Sequence, residues 1–582
     1  MRFVKVLQVA SALVLAATVS FALNACAASD QAKITAGPDF AAATPAPPST
    51  TLSGNYLAGR FAQRQQDWDS AQNYMNEVTK YDEGNELLEQ RAFLLSMGAM
   101  QYSRARELAQ KIIADPENIE LAAIYLACVA LAREDYKSAL DYIARLPEDG
   151  FGQYTKPLLT AWSMVGKGDS KGAVALLGDK ADAADPTFNV HAALIAELAG
   201  DKKAAEAHYR EAMANGLTLH TAVLAANFFQ RENQPEISKA IYDNLGKLYP
   251  FSPFINAVKK PAETPRNITR AADGAAVALF DLATLLYERR AYDSAQIYGA
   301  MVLLLSPKAP FAMMMMGDIA ALHGNYRAAV DDYNTVAKNQ PLYWLSRVRV
   351  SEVMEISHNI PQAIAMLEDL SKNPETRLEA LVSLGDLHRR HEDYAKALKS
   401  YDAALATIDK PSEEHWPLIY ARGMSRERMN DWDGAEKDLL QALAFQPDNP
   451  MILNFLGYSW ADKGINMDKA LDYIRRAVVQ RPDDGYIVDS LGWALYRAGD
   501  YKESIEWLER AVSIVPDDST ILDHLGDAYW QSGRKNEAKF KWQRAHELSR
   551  DTSFRSTVEN KISRGIEAMP AQVAHSSTEP KL

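Results

Sequence analysis

Three stretches of this chain carry residues whose types and spacing could do chemistry. Gly166-Lys167-Gly168-Asp169-Ser170-Lys171-Gly172 could cradle a phosphate with backbone N–H groups and a lysine. It fits neither GxxxxGK(S/T) nor GxGxxG, and no strand pattern precedes it, so it reads as a turn between two helices. Gly457-Tyr458-Ser459-Trp460-Ala461 approaches GxSxG, the sharp turn that presents a nucleophilic serine. The last glycine is missing, and the stretch lies inside a helical pattern. His388, His391 and Glu392 are metal-ligand types, but two histidines at i, i+3 without HExxH fit a solvated helix end better. The other histidines are scattered, and no nucleophile and base stand at a recognisable spacing. These residues predict no catalytic site, no metal and no cofactor, and so a protein that is not an enzyme.

The elements that would have to position any such site follow a fixed period. Small residues recur at Ala295, Ala329, Ala363, Ala397, Ala435, Ala470, Ser504 and Ala538, in steps of 34 to 38. A second marker stands twelve or thirteen residues before each: Ala283, Gly317, Ser351, Gly385, Gly423, Gly457, Gly492 and Gly526. Prolines 307, 341, 447, 482 and 516 follow the first marker by twelve. Apolar residues between the markers are spaced by three and four, which predicts amphipathic helices. Gly at the end of one helix and Pro beyond the next punctuate a hairpin. The small markers let two helix backbones approach where they cross. The first half keeps the period more loosely, through Ala71, Ala105, Ala139, Ala173, Ala205 and Ser238.

Leu491-Gly492, Tyr496, Ser504, Leu508, Ala511 and Pro516 resemble the tetratricopeptide repeat (TPR). So do Leu525-Gly526, Tyr529, Ala538, Trp542 and Ala545, and Leu456-Gly457, Trp460, Ala470, Ile474, Ala477 and Pro482. The resemblance implies an all-α fold, a right-handed solenoid of helix-turn-helix repeats. The period predicts about fourteen helix pairs over residues 52–550.

The ends and the composition bound the rest. The chain has 582 residues and a net charge of -13. An acidic surface repels phosphate backbones, and Lys259, Lys260, Arg266 and Arg270 are too thin a basic stretch to reverse that, so nucleic acid is excluded as a partner. Arg2 and Lys5 followed by the apolar run Val6 to Leu23 read as a signal peptide, residues 1–25. Leu23-Asn24-Ala25-Cys26 resembles the bacterial lipoprotein box and implies a lipid on Cys26. The rival is ordinary cleavage at Ala25-Cys26-Ala27. Residues 26–51, rich in Ala, Pro, Ser and Thr, read as a disordered tether. Cys128, within the apolar run Leu121–Leu131, reads as a small buried hydrophobe.

The domain plan is an N-terminal superhelix over 52–250, a connector over 251–274 where the period fails, and a C-terminal superhelix over 275–550. A capping helix and loose tail fill 551–582. The connector has an alternative, a degenerate helix pair packed in line with the rest. The candidate peptide groove lies on the first helices of the last repeats: Asn454, Tyr458, Asp489, Trp493, Tyr496, Asp523, Asp527 and Trp530. Aromatics beside carboxylates favour basic or apolar segments over a carboxylate-ended ligand. The competing explanation is that these residues only pack.

The run Leu456-Gly457-Tyr458, Asp489-Ser490-Leu491-Gly492-Trp493 and His524-Leu525-Gly526-Asp527 is similar to bacterial outer-membrane TPR lipoproteins that act as adaptors for a carboxyl-terminal processing protease. That resemblance implies a periplasmic, lipid-anchored scaffold, with a protease and peptidoglycan hydrolases as protein partners. Two other readings stand beside it: a TPR lipoprotein of a polysaccharide-export or pilus-assembly machine, and an enzyme with a TPR accessory region.

Overall fold

The computed structural model describes residues 51–113, 120–181, 186–249, 252–258 and 268–566. Residues 1–50, which hold the expected signal peptide, Cys26 and nearly all of the expected tether, residues 259–267 with Lys259, Lys260 and Arg266, and the tail from 567 lie outside the described residues. Fourteen helix pairs run from Leu52–Arg64 with Trp68–Tyr81 to Ser519–Gln531 with Lys535–Leu548, among the described residues. Thr552–Arg564 follows as one more helix, where the capping helix is expected.

Each hairpin turns by the same local device. A residue in the left-handed region follows the first helix of every pair, and in eight of the fourteen an Asp or Asn caps the second helix through its side chain. Glu134 (φ 61°) precedes Asp135, which accepts from Ser138 N–H. Gly499 (φ 86°) precedes Asp500, which accepts from Glu503 N–H. The phosphate-loop mimic is this turn again: Gly168 (φ 90°) precedes Asp169, the N-cap of Ser170–Gly178.

The small markers act where hairpins close. A Cβ on Gly317 would stand 2.5 Å from the ring of Tyr333, on Gly385 2.4 Å from Tyr401, and on Gly526 2.4 Å from Trp542. The next residue completes the contact. Tyr333 donates to Asp318 (2.6 Å), Tyr401 to Asp386 (2.7 Å) and Trp542 to Asp527 (2.9 Å). Where the residue after the glycine is not an Asp, the partner is aliphatic: Gly423 meets Leu439, Gly457 meets Ile474, and Gly492 meets Leu508. A buried ring with a polar tip requires an acceptor there, whereas an aliphatic side chain does not.

The described residues pack as two compact units, one up to Leu384 and one from Gly385. The described parts of the 251–274 stretch, 252–258 and 268–274, therefore lie inside the first unit, where helix Pro253–Val258 buries Phe254 and Ile255.

Within the first unit, the hairpin Ala271–Glu288 and Tyr292–Leu305 does not simply extend the row. Ala271–Glu288 packs on the first helices of the third, fourth and fifth pairs, Glu120–Ala132, Gly152–Gly166 and Thr187–Leu198. Tyr292–Leu305 packs on Glu86–Gly98 and Glu120–Ala132. The cause is composition. Ala271–Glu288 is apolar nearly all round, with Ala275, Leu279, Leu282 and Ala283 among its buried residues, so it needs cover on both sides. Polar groups fix the register. Gln63 and Gln66 donate to Asp293 (2.7 and 2.8 Å), Tyr102 donates to the Ala300 carbonyl (2.9 Å), and Trp162 lies flat against Gly274. Trp162 also donates to Nδ1 of His191, leaving the proton on Nε2, 3.4 Å from Asp281.

Candidate functional site

The eight groove candidates sit on consecutive first helices of the second unit, Pro450–Lys463, Gly485–Arg497 and Ser519–Gln531. The period makes them columns: Asn454, Asp489 and Asp523 in one, and Tyr458, Trp493 and Asp527 in another. One further period past Asp527 is Lys561, on helix Thr552–Arg564.

The columns interlock. The Lys561 ammonium donates to Asp523 Oδ2 (2.7 Å) and to both oxygens of Asp527 (2.9 and 2.8 Å). Burial pulls its pKa down, and the two carboxylates more than offset that, so it stands above the ordinary lysine value. Burial pushes the Asp527 carboxyl up to about 6, against the pull of Lys561. His524 Nδ1 lies 3.0 Å from Asp489, and that carboxylate raises its pKa against the opposing effect of burial. Trp493 stacks between His524 (4.1 Å between ring centres) and Tyr496 (4.9 Å). Its indole N–H and the Arg497 guanidinium share Asp462, at 3.2 and 3.0 Å. Trp530 packs on Trp542, and Gly565 passes against its ring.

The structure thus brings Asp489, Trp493, Tyr496, Asp523 and Asp527 into one network, with Asn454 and Tyr458 one repeat back. Asn454, Asp489, Trp493, Asp523 and Asp527 are buried, and Tyr458, Tyr496 and Trp530 are half-buried. The arrangement clamps the last repeats to the capping helix through ion pairs and stacking. Sequence reasoning missed His524, Lys561, Asp462 and Arg497. The signal for Lys561 was its place one period after Asp527, with opposite charge.

The other chemistry-bearing stretches are absorbed into the fold. Gly457–Ala461 lies within helix Pro450–Lys463, with Ser459 buried. His388 is buried in helix Arg377–Arg390, and Glu392 occupies the left-handed turn after it. Cys128 is fully buried, and burial raises its thiol pKa. Among the described residues no helix is long and apolar enough to cross a membrane.

Comparisons with known proteins bear on the repeats. A model described as TPR repeat matches residues 492–533, and one described as Tetratricopeptide repeat matches 357–413 and 420–485. The TPR repeat-containing protein PA4667 of Pseudomonas aeruginosa is 29% identical over 185 residues, which cover 32% of this chain and 30% of that protein. The chain therefore spans about a third of the length of that curated relative. Among solved structures, the APC/C hetero-tetramer Cut9–Hcn1 aligns over 84% of this chain and 98% of its own, at 14% identity and a TM-score of 0.38. Yeast Tom70 aligns over 88% and 95%, at 14% identity and a TM-score of 0.32. With the hairpin geometry above, the family matches establish that the chain carries tetratricopeptide repeats in an all-α TPR solenoid fold.

Proposed function

We propose that this chain is a non-catalytic protein-interaction scaffold, tethered by lipid at Cys26 to the periplasmic face of the cell envelope, at the outer membrane. There it brings a periplasmic protease together with cell-wall hydrolase substrates. The observation that supports this is the run of fourteen hairpins, which spends the chain on stacked surface. Holding two proteins together raises their effective concentration without any catalytic residue. The first helices of the third to fifth pairs are already covered by the chain's own hairpin, and the acidic strip of the last repeats is tied to Lys561. Partners therefore meet the half-exposed Tyr458, Tyr496 and Trp530 and the flanks of the hairpins.

In-cell crosslinking followed by identification of the captured proteins tests the reading. Recovery of a periplasmic protease with a wall hydrolase supports it. Recovery of a secretin or polysaccharide-export channel instead overturns it, and so does turnover of peptidoglycan by the purified protein alone.

A further inference from the structure

The buried network at the end of the second unit does not balance in charge. Asp489, Asp523, His524, Asp527 and Lys561 are all buried, and they come from three helices, Gly485–Arg497, Ser519–Gln531 and Thr552–Arg564. Three carboxylates stand there against two cations, even with His524 charged. The groups packed around them do not make up the difference. On Gly485–Arg497, Arg497 is taken by Asp462, and burial raises the pKa of the Tyr496 hydroxyl, so that ring stays neutral. On Tyr501–Ile514, Glu509 accepts from Tyr529 (2.7 Å) and from Arg534 (3.4 Å). On Lys535–Leu548, Trp542 gives Asp527 a neutral N–H, while Lys535 lies over the Trp530 ring. The shortfall shows at Asp523 Oδ1, which is buried with no hydrogen-bond partner among the described residues.

A buried cluster with net charge is costly, and binding a proton removes that cost. We propose that these five groups form a proton-gated clamp. One bound proton makes the cluster electroneutral and holds the last repeats shut. Its loss as pH rises lets helix Thr552–Arg564 lift and uncovers Trp493 and Tyr496. Two groups set the direction. Asp527 has a folded pKa of about 6 against about 3.9 unfolded, so its contribution is lost as pH rises through about 6. Burial lowers the His524 pKa, and Asp489 and the other carboxylates more than offset that, so it stands above the ordinary histidine value. Its contribution is therefore present below about pH 6.5 and lost at higher pH. The first loss leaves the cluster with a single net negative charge, and the second adds another. His524 also stacks on Trp493 at 4.1 Å, so the same event that unbalances the cluster weakens the cover on that ring. The gate goes beyond the scaffold reading and holds whichever proteins the chain binds.

The test is amide exchange on the full chain, as protection factors corrected for the intrinsic pH dependence, in helices Gly485–Arg497, Ser519–Gln531 and Thr552–Arg564. Between pH 5.0 and 8.5 protection should fall about tenfold from Asp527 alone, with His524 adding to it. Protection in Trp416–Arg428 and Trp432–Phe445 should change far less. Asp527→Asn separates the gate from an ordinary ion pair. The amide still accepts from Lys561 and Trp542, and the remaining four charges balance. The variant should therefore be better protected than the native chain at pH 8.5 and lose most of the pH dependence. His524→Phe keeps a ring on Trp493 and should remove the part of the dependence above pH 7. Protection that is flat or rises with pH in the native chain overturns the proposal. So does an Asp527→Asn chain that is less protected than native at pH 8.5, or one that keeps the full dependence.

Discussion

Lys561→Met is the sharpest probe of the last repeats, because it keeps the aliphatic stem and removes only the charge between Asp523 and Asp527. In the native chain that ammonium touches three carboxylate oxygens at 2.7–2.9 Å and is buried. Removing one partner of a buried ion pair leaves an uncompensated charge, at a cost of about 3–5 kcal/mol. The loss should depend on pH, and its sign follows from Asp527. Its folded pKa, about 6, stands above the unfolded value of about 3.9. The native state therefore binds the proton more tightly, which contributes stability present below about pH 4 and lost as pH rises through about 6. Without Lys561 the folded pKa climbs further, so protonation can relieve the variant in acid. The deficit should be about 3–5 kcal/mol near pH 7.5 and shrink to about 1–2 kcal/mol near pH 4.5. Stacked repeats can open piecemeal, so the readout should be local: amide exchange in helices Ser519–Gln531 and Lys535–Leu548, beside urea unfolding. A deficit under about 1 kcal/mol at pH 7.5, or one equal at both pH values, would refute the clamp and return the two carboxylates to the set of free partner-binding groups.

Other perturbations follow from the same geometry. Gly385→Ala drives a methyl to 2.4 Å from the Tyr401 ring, which Asp386 holds in place, and should cost about 1–3 kcal/mol in thermal unfolding. Gly274→Leu should lever Ala271–Glu288 off Trp162, and protease sites in 271–305 should open faster with the second unit's resistance unchanged. Cys26→Ser should move the protein from the membrane fraction to the soluble fraction; unchanged fractionation would exclude the lipid anchor.

The hairpins were legible because their markers are mechanical. A glycine or alanine must stand where two backbones cross, and its spacing survives even where the side chains around it vary, as from Ala71 to Ala173. The Asp after Gly317, Gly385 and Gly526 was not legible as the acceptor for an aromatic fifteen residues later, and Asp527 was assigned to the groove instead, because the pairing depends on how the two helices of a hairpin close. The strip was legible as a set of residues on one helix face, but its burial was not. Burial depends on how closely Gly485–Arg497, Ser519–Gln531 and Thr552–Arg564 approach one another, and the sequence states only that they are neighbours. The in-folded hairpin departs from a simple row in which each repeat touches only the next. Its one sequence signal was the nearly continuous apolar surface of Ala271–Glu288, which a single neighbouring hairpin cannot cover.

That hairpin also separates the physics of the two units. In a simple row of repeats, each hairpin stabilises only its neighbours, and opening can begin at an end and spread. The second unit keeps to that rule. Its long-range polar contacts, such as Asp489 with His524 and Asp523 with Lys561, join residues 35 and 38 apart. In the first unit, Gln63 reaches Asp293 across 230 residues and Tyr102 reaches Ala300 across 198. Opening the first pair therefore also strips contacts from the seventh, so the helices between them gain or lose structure together. Contacts of such sequence separation form late and slowly, because the intervening chain must be ordered before they can close. The first unit is accordingly the cooperative body, and the second is the part able to yield one hairpin at a time. Lys561 matters for that reason: it closes the end from which the second unit would otherwise open.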